Sequence, residues 1–137
     1  MEAAERNLRT IDALPPEKQQ RIARETLDVY SPLAHRLGME EIKHEMEDRC
    51  FAVLQPLRYE EIQEQLAART PERDAYLEKV MTEVRGALQD AGVDASVTGR
   101  PKHPYSIYRK MVAIGQAFSE IHDIIGIRIT TEEMRDC

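Results

Sequence analysis

Hydrophobic residues recur every three or four positions through most of the first two-thirds of the chain, the spacing of one helix face. A helix is predicted to begin at Pro15–Pro16, where proline is tolerated in the first turn. Pro32 is expected to kink or divide it by removing a backbone hydrogen bond, and Gly38 to end it. Its apolar face comprises Ile22, Thr26, Val29, Leu33 and Leu37.

A second helix is predicted from Met39 to the Gln55–Pro56 pair. Cys50 on its apolar face is expected to be a small core residue. Charged residues occupy much of the remaining face, namely Glu40, Glu41, Lys43, Glu45, Glu47 and Asp48. A shorter helix follows. The Thr70–Pro71 pair then predicts the start of a separate long helix that ends at Ala91–Gly92. The apolar faces of the three helices are Met39, Ile42, Met46, Cys50 and Val53; Tyr59, Ile62 and Leu66; and Leu77, Val80, Val84 and Leu88.

The hydrophobic period changes to two after Gly92, which predicts a strand over 93–98. A helix is expected after Pro104, a central strand over 124–130, and another helix opening at Glu132. The predicted fold class is α+β, with a mostly helical first two-thirds and the incomplete start of a sheet. Since a stable sheet normally needs three or more strands, residues 93–137 are expected to be poorly protected or to self-associate through the exposed edge around 124–129.

The chain has 137 residues and a formal net charge of −6, which disfavours a nucleic-acid coat or a general binder of anionic membranes. No segment has the length and apolar character of a transmembrane helix, and the first residues lack the order of a secretory signal. The two cysteines, Cys50 and Cys137, exclude a disulfide framework and a cysteine-rich zinc site. We therefore expect a soluble cytoplasmic protein.

Residues 95–119 contain no acid but four of the chain's basic residues, with His103 as a possible fifth positive charge. Arg100 and Lys102 are two positions apart at a strand end and are expected to point to the same side, with Lys110 reaching back from the following helix. Such cations suit a polyphosphate, and Gly99 would admit a ligand close to the backbone. The alternative is a solvated basic loop. The basic residues are Arg100, Lys102, Arg109 and Lys110.

Asp123 lies immediately before the second predicted strand. A carboxylate at a strand edge near a polyphosphate commonly holds Mg²⁺, although an aspartate at such a position is also an ordinary turn residue. The sequence contains neither a Walker loop nor a Gly-x-Gly-x-x-Gly motif.

Taken together, these motifs resemble the start of the synthetase domain of RelA/SpoT-type proteins, the (p)ppGpp synthetase/hydrolases of the bacterial stringent response. The resemblance is carried by Gly99-Arg100-Pro101-Lys102-His103, Tyr105-Ser106-Ile107-Tyr108, Lys110-Met111, Ile121, Asp123 and Gly126-Ile127-Arg128. Residues 12–19 and 30–38 resemble the end of that family's hydrolase domain, and residues 42–48 resemble the connecting helical segment. The implied organisation is the end of an HD-type hydrolase domain over 1–38, a helical connection over 39–91, and the start of a mixed-sheet, nucleotidyltransferase-like synthetase domain over 92–137.

The resemblance implies that the parent protein transfers a pyrophosphoryl group from ATP to the 3′-hydroxyl of GDP or GTP with Mg²⁺. Arg100, Lys102 and Lys110 match the family's ATP-binding residues, and Asp123 matches a catalytic, Mg²⁺-holding aspartate. Asn7 and Thr10 lie in a stretch similar to the family's His-Asn-Met-Arg-Thr motif, which would place them in the hydrolase nucleotide pocket. For both residues, an ordinary helix-surface position is the alternative.

Departures from the family pattern bear on activity. Ala3 and Arg6 stand where the hydrolase has Asp and His, so ligands for the Mn²⁺ of the parent hydrolase are expected to be absent from this chain. The guanine-binding Gly-Tyr-x-Ser segment and a second metal-holding Glu of the synthetase are expected after Cys137. We therefore expect the chain to be an excerpt that by itself neither makes nor hydrolyses (p)ppGpp.

The resemblance implies ATP and GDP or GTP as the parent's partners, with no membrane and no specific nucleic-acid site in this chain; any ribosome association would use other parts of the parent. Two alternatives stay open. One is a non-catalytic regulatory module that keeps the ATP-phosphate patch and offers the helices between Met39 and Leu88 to a partner. The other, an RNA-binding patch, is less favoured because only Tyr105 and Tyr108 interleave the basic residues.

Overall fold

The computed structural model describes residues 2–115, 117–118 and 125–137. Its α-helices are α1 (Glu2–Arg9), α2 (Pro16–Glu25), α3 (Ser31–Arg36), α4 (Glu40–Leu54), α5 (Pro56–Asp90) and α6 (Pro104–Ile114). Its strands are β1 (Ala95–Pro101) and β2 (Ile125–Thr131). Short 3₁₀ turns cover Ile11–Ala13 and Met134–Asp136, and a π-helical turn covers Thr26–Tyr30. The mostly helical α+β class predicted from the sequence is confirmed.

The first long helix divides at Pro32, as predicted. Pro32 has no amide hydrogen for the carbonyl four residues earlier, and the helix widens just before it, where the Ser31 amide donates to the Thr26 carbonyl. Helix α3 then starts at Ser31. The helical segment ends at Gly38, whose φ of +71° is a conformation that favours glycine.

The predicted break at Thr70–Pro71 is wrong, because α5 continues without interruption from Pro56 to Asp90 and contains Pro71 in its interior. Proline there leaves the carbonyl of Ala67 without its helical donor, yet Ala67 and Pro71 are both exposed, so water can satisfy that carbonyl. The Thr70 hydroxyl does not cap a new helix. It donates to the Leu66 carbonyl, 3.0 Å away, within the existing one.

The two strands form an antiparallel pair in which Val97 lies opposite Ile129 and Arg100 lies opposite Gly126. Among the described residues, no further strand pairs with either of them. The predicted second strand is present with its described part starting at Ile125, whereas the helix predicted from Glu132 is a 3₁₀ turn over Met134–Asp136. Self-association through the sheet edge stays a prediction.

Helix α4 is shared by two hydrophobic clusters. The α2–α4 cluster lies on one side and the α4–α6 cluster on the other, so α4 joins the first helices to the strand–helix unit that follows α5. The α2–α4 cluster consists of Leu8, Ile11, Ala23, Ala34, Met46 and Cys50. The α4–α6 cluster consists of Phe51, Ile62, Leu66, Ile107 and Phe118. Cys50 is fully buried, which agrees with its predicted core position. None of the helices in the described part of the chain is long and apolar enough to cross a membrane.

Candidate functional site

The basic residues singled out in the sequence lie on one strand–turn–helix unit. Arg100 is exposed near the end of β1, Lys102 lies in the short turn, and Lys110 lies on α6; both lysines are half-buried. We refer to these three residues as the cation corner. The turn between Pro101 and Pro104 contains only Lys102 and His103, so the exit of the strand and the start of the helix are close in sequence. The order strand, turn, helix predicted for this segment is thus present.

One face of the sheet is covered by α5. A side chain on Gly99 would come within 2.4 Å of the Leu77 Cδ2 atom, so the missing side chain of Gly99 makes room for Leu77. We had expected this glycine to admit a ligand instead. Successive strand residues point to opposite faces, which places Arg100 on the face away from α5.

Arg128 shares that outer face, because it pairs with Thr98, two residues before Arg100. Arg128 also lines a cavity of about 410 Å³ whose other walls are residues at the start of α4, including Glu40 and Ile42. Arg128 belongs to the Gly126-Ile127-Arg128 segment that carries the resemblance, but the sequence alone indicates no role for it. The strand register, which the sequence does not show, is what relates it to Arg100.

Positive charge accumulates between α4 and the end of β1. Burial lowers the pKa of His44 below its ordinary value, and the positive charges of His103, Arg100 and Lys43 lower it further, while Glu40 opposes them. The rings of His44 and His103 lie against each other with centroids 4.0 Å apart. A neutral imidazole is therefore favoured at position 44, in the same field that would attract an anion.

Asp48 on α4 holds the turn. Its Oδ1 atom lies 2.8 Å from Nδ1 of His103 and accepts the backbone N–H of Tyr105 at 2.9 Å. Since a carboxylate only accepts hydrogen bonds, the Nδ1 atom of His103 is the donor in this contact. His103 itself makes no side-chain cap to α6, so the α6 N-terminus is capped by a carboxylate more than fifty residues earlier in the chain.

Glu47, beside Asp48, is buried, with only 5% of its surface exposed. Its Oε1 atom accepts a 2.6 Å hydrogen bond from the Ser31 hydroxyl, and its Oε2 atom is 3.8 Å from Nε2 of His103. Glu47 thus lies on the charged side of α4 and is nevertheless buried, and Asp48 is only partly exposed. The two carboxylates connect α3, α4 and the turn.

A second cavity, of about 460 Å³, opens next to these carboxylates between α3, α4 and α6. Lys43, Glu47 and Arg109 line it, so its wall carries both signs of charge. The Lys43 amine contacts Glu40 at 3.5 Å, and the Arg109 guanidinium lies over the Tyr105 ring at 6.0 Å. The polar surface around the turn thus extends toward the first helices.

Asn7 and Thr10, the residues matched to a hydrolase pocket, are exposed at the end of α1. The Thr10 hydroxyl donates to the Arg6 carbonyl at 3.2 Å, the ordinary contact of a helix end. Asn7 lies on α1 and Thr10 directly follows it, whereas the cation corner lies on β1, α6 and the turn between them.

Asp123, the expected magnesium ligand, lies outside the described residues. Among the residues that are described, no group of three or more His, Cys, Asp or Glu side chains could hold a metal ion.

Tyr105 and Tyr108 do not form an exposed stacking platform. Tyr108 stacks on Phe51 with ring centroids 4.6 Å apart, and Tyr105 meets the same ring at 5.8 Å. Burial raises the pKa of the Tyr105 hydroxyl. These aromatic rings belong to the α4–α6 cluster, which argues against the RNA-binding alternative.

The regulatory-module alternative needs an unoccupied apolar face on the helices between Met39 and Leu88. Six of the large apolar side chains there are buried, namely Met46, Cys50, Phe51, Ile62, Leu66 and Met81. Leu57 and Tyr76 are exposed. The predicted apolar face of the long helix, formed by Leu77, Val80, Val84 and Leu88, is half-buried. The chain itself therefore covers only part of these faces, and the regulatory-module alternative stays a prediction.

Two family models match the chain. Residues 99–137 match a region found in RelA / SpoT proteins, and residues 2–40 match an HD domain. The first match contains the whole cation corner, and the second contains Asn7 and Thr10. The predicted boundaries near residues 38 and 91 are not tested by these matches and stay predictions.

Several curated bacterial proteins are similar to almost the whole chain. The bifunctional (p)ppGpp synthase/hydrolase RelA of Mycobacterium tuberculosis is 54% identical over 96% of this chain and 18% of its own length. The GTP pyrophosphokinase of Streptomyces coelicolor is 53% identical over 96% of the chain and 16% of its own length. The bifunctional (p)ppGpp synthase/hydrolase SpoT of Escherichia coli is 47% identical over 96% of this chain and 19% of its own length. The chain thus spans less than a fifth of these relatives, and by its continuous similarity to them it belongs to the RelA/SpoT family.

Proposed function

We propose that this chain contributes the ATP-phosphate-binding corner of a (p)ppGpp synthetase, with Arg100, Lys102 and Lys110 as the phosphate ligands. In the proposed parent reaction, a pyrophosphoryl group moves from ATP to the 3′-hydroxyl of GDP or GTP. One observation carries the proposal: three cations lie on a single strand–turn–helix unit, and the cation on the strand points away from the covering helix α5.

The residue types suit a triphosphate. The Arg100 guanidinium offers a planar set of donors that matches phosphate oxygens, while the two lysine amines act as point charges. Pyrophosphoryl transfer asks the protein mainly for positioning and for neutralisation of charge. A strand end and a helix connected by two residues meet the first demand, because neither cation-bearing element can move far from the other.

Mg²⁺ is part of this proposal through Asp123, and the ion would neutralise phosphate charge when bound. Asn7 and Thr10 are proposed to border the nucleotide pocket of a (p)ppGpp hydrolase whose Mn²⁺ ligands lie in other parts of the parent. The names of the relatives, a bifunctional synthase/hydrolase and a GTP pyrophosphokinase, support both activities for the parent. A cytoplasmic location follows from the same proposal.

Titration of the chain with a fluorescent ATP analogue tests the phosphate site. We expect Arg100→Glu to weaken binding by at least about tenfold, because it places a negative charge beside the phosphates. Arg58→Glu is the matched control, since Arg58 is an exposed arginine on α5 that forms an ion pair with Glu61, three residues further on. Inorganic triphosphate should compete with the analogue, and adenosine should not.

The proposal is contradicted if the chain binds no ATP, if Arg100→Glu and Arg58→Glu behave alike, or if adenosine competes as well as triphosphate does. Binding should also weaken as salt is raised, because the attraction between phosphates and cations is screened.

A further inference from the structure

The turn that carries the cation corner lies between Pro101 and Pro104, whose rings restrict φ but which have no amide hydrogen to donate. His103, at the N-cap position of α6, makes no side-chain cap to the helix. Contacts from outside the strand–turn–helix unit can therefore contribute to the angle between β1 and α6.

Asp48 supplies those contacts with a single oxygen. The Oδ1 atom binds His103 immediately before Pro104 and Tyr105 immediately after it, at 2.8 and 2.9 Å. One acceptor thus holds the last residue of the turn and the first turn of the helix. Because the carboxylate is charged, both bonds are stronger than bonds between neutral groups.

Asp48 is itself held in place. It lies on α4 between Glu47, which is anchored to Ser31, and the fully buried Cys50 and Phe51. The His103 ring rests on the His44 ring of the same helix. Helix α4 therefore offers a rigid surface, and the turn is docked against it by the ring contact and by the two hydrogen bonds.

We propose that Asp48 is a positioning residue for the phosphate site: by clamping His103 and Tyr105 to α4, it sets the distance from Arg100 and Lys102 to Lys110. This inference rests on the proposed function, since it concerns the same cations. Asp48 makes no contact with substrate in this role. It acts through the turn and determines how well the three cations fit one triphosphate.

The test compares three variants of the chain by ATP titration and by hydrogen exchange of the Tyr105 amide. Asp48→Ala removes the acceptor, so we expect this variant to bind ATP about five- to tenfold more weakly. We also expect its Tyr105 amide to lose protection from hydrogen exchange. Asp48→Asn keeps an oxygen at the same position and should restore most of both signals. Glu45→Ala, which removes an exposed carboxylate from the same helix, should change neither.

A thermal melt of each variant separates positioning from folding, with titrations made well below the melting transition. If Asp48→Ala melts earlier but binds ATP as tightly as the unchanged chain, Asp48 is merely structural and the inference is overturned. Weakened binding that Asp48→Asn fails to restore also contradicts it.

Failure of the proposed function has a different signature, namely no ATP binding by the unchanged chain. In that case the clamp is judged by the Tyr105 amide alone. If the Tyr105 amide exchanges as slowly in Asp48→Ala as in the unchanged chain, the inference is overturned. If its protection is lost in Asp48→Ala and regained in Asp48→Asn, Asp48 holds the turn against α4 even though no ATP binds.

Discussion

Replacing Phe51 with alanine would remove the ring at the centre of the α4–α6 cluster. Phe51 is 1% exposed, stacks on Tyr108 at 4.6 Å and meets Tyr59 edge-on at 5.8 Å. Truncation of a buried phenylalanine typically costs about 3–5 kcal/mol, from lost burial and from the cavity left behind. Contacts with three aromatic rings, Tyr59, Tyr105 and Tyr108, place Phe51 toward the upper part of that range.

Against a total stability of about 5–15 kcal/mol for a domain, this loss is large. Urea unfolding followed by circular dichroism should show it as a fall of the midpoint by about 2 M, given a slope of about 2 kcal/mol per molar. Tyr76→Ala is the control, because Tyr76 is an exposed aromatic residue on α5 and its loss should cost under about 0.5 kcal/mol. A midpoint change of less than about 0.5 M for Phe51→Ala would refute the reasoning that this cluster holds α6 to α4.

Two further predictions concern titratable groups. Burial raises the pKa of the Cys50 thiol to about 12, so iodoacetamide should label exposed Cys137 in the folded chain and reach Cys50 only in denaturant. Peptide mass spectrometry measures this, and equal labelling of both cysteines would contradict it. The pKa of His44 is lowered in the folded chain, so only the unfolded state gains a proton near pH 6.5. The free energy of unfolding should therefore fall as the pH drops below about 6.5, and less steeply in His44→Gln. Urea midpoints at about pH 7.5 and 5.5 test this, and an equal or steeper fall in the variant would count against it.

Elements with a clear period could be predicted from the sequence. The division at Pro32, the strand after Gly92 and the helix after Pro104 are all present, because each depends on local chemistry: a missing donor, an alternating pattern, a first-turn proline. The prediction at Pro71 was wrong because it also depended on local chemistry alone. Thr70–Pro71 is a valid local start signal, but the exposed surroundings let the helix pass through it.

The cation corner could likewise be predicted from one contiguous segment of the sequence. The contacts of Asp48 that hold this segment against α4 could not. Asp48 and His103 are separated by 55 positions, and nothing in a helical period distinguishes a solvated carboxylate from one that caps a distant helix. The same holds for the buried Glu47. Ser31 on α3 and His103 in the turn come into contact with α4 only in the folded chain, so the sequence alone does not predict these contacts.

The sharing of α4 between two clusters restricts how the sequence can change over time. Cys50 serves one cluster and its neighbour Phe51 serves the other, about 100° apart around the helix. Side chains within either cluster could be exchanged for others of similar volume, but adding or deleting one residue between Met46 and Phe51 would rotate one cluster against the other. Apolar residues of either cluster can therefore change with their volume kept, whereas the residue spacing between the two clusters cannot change.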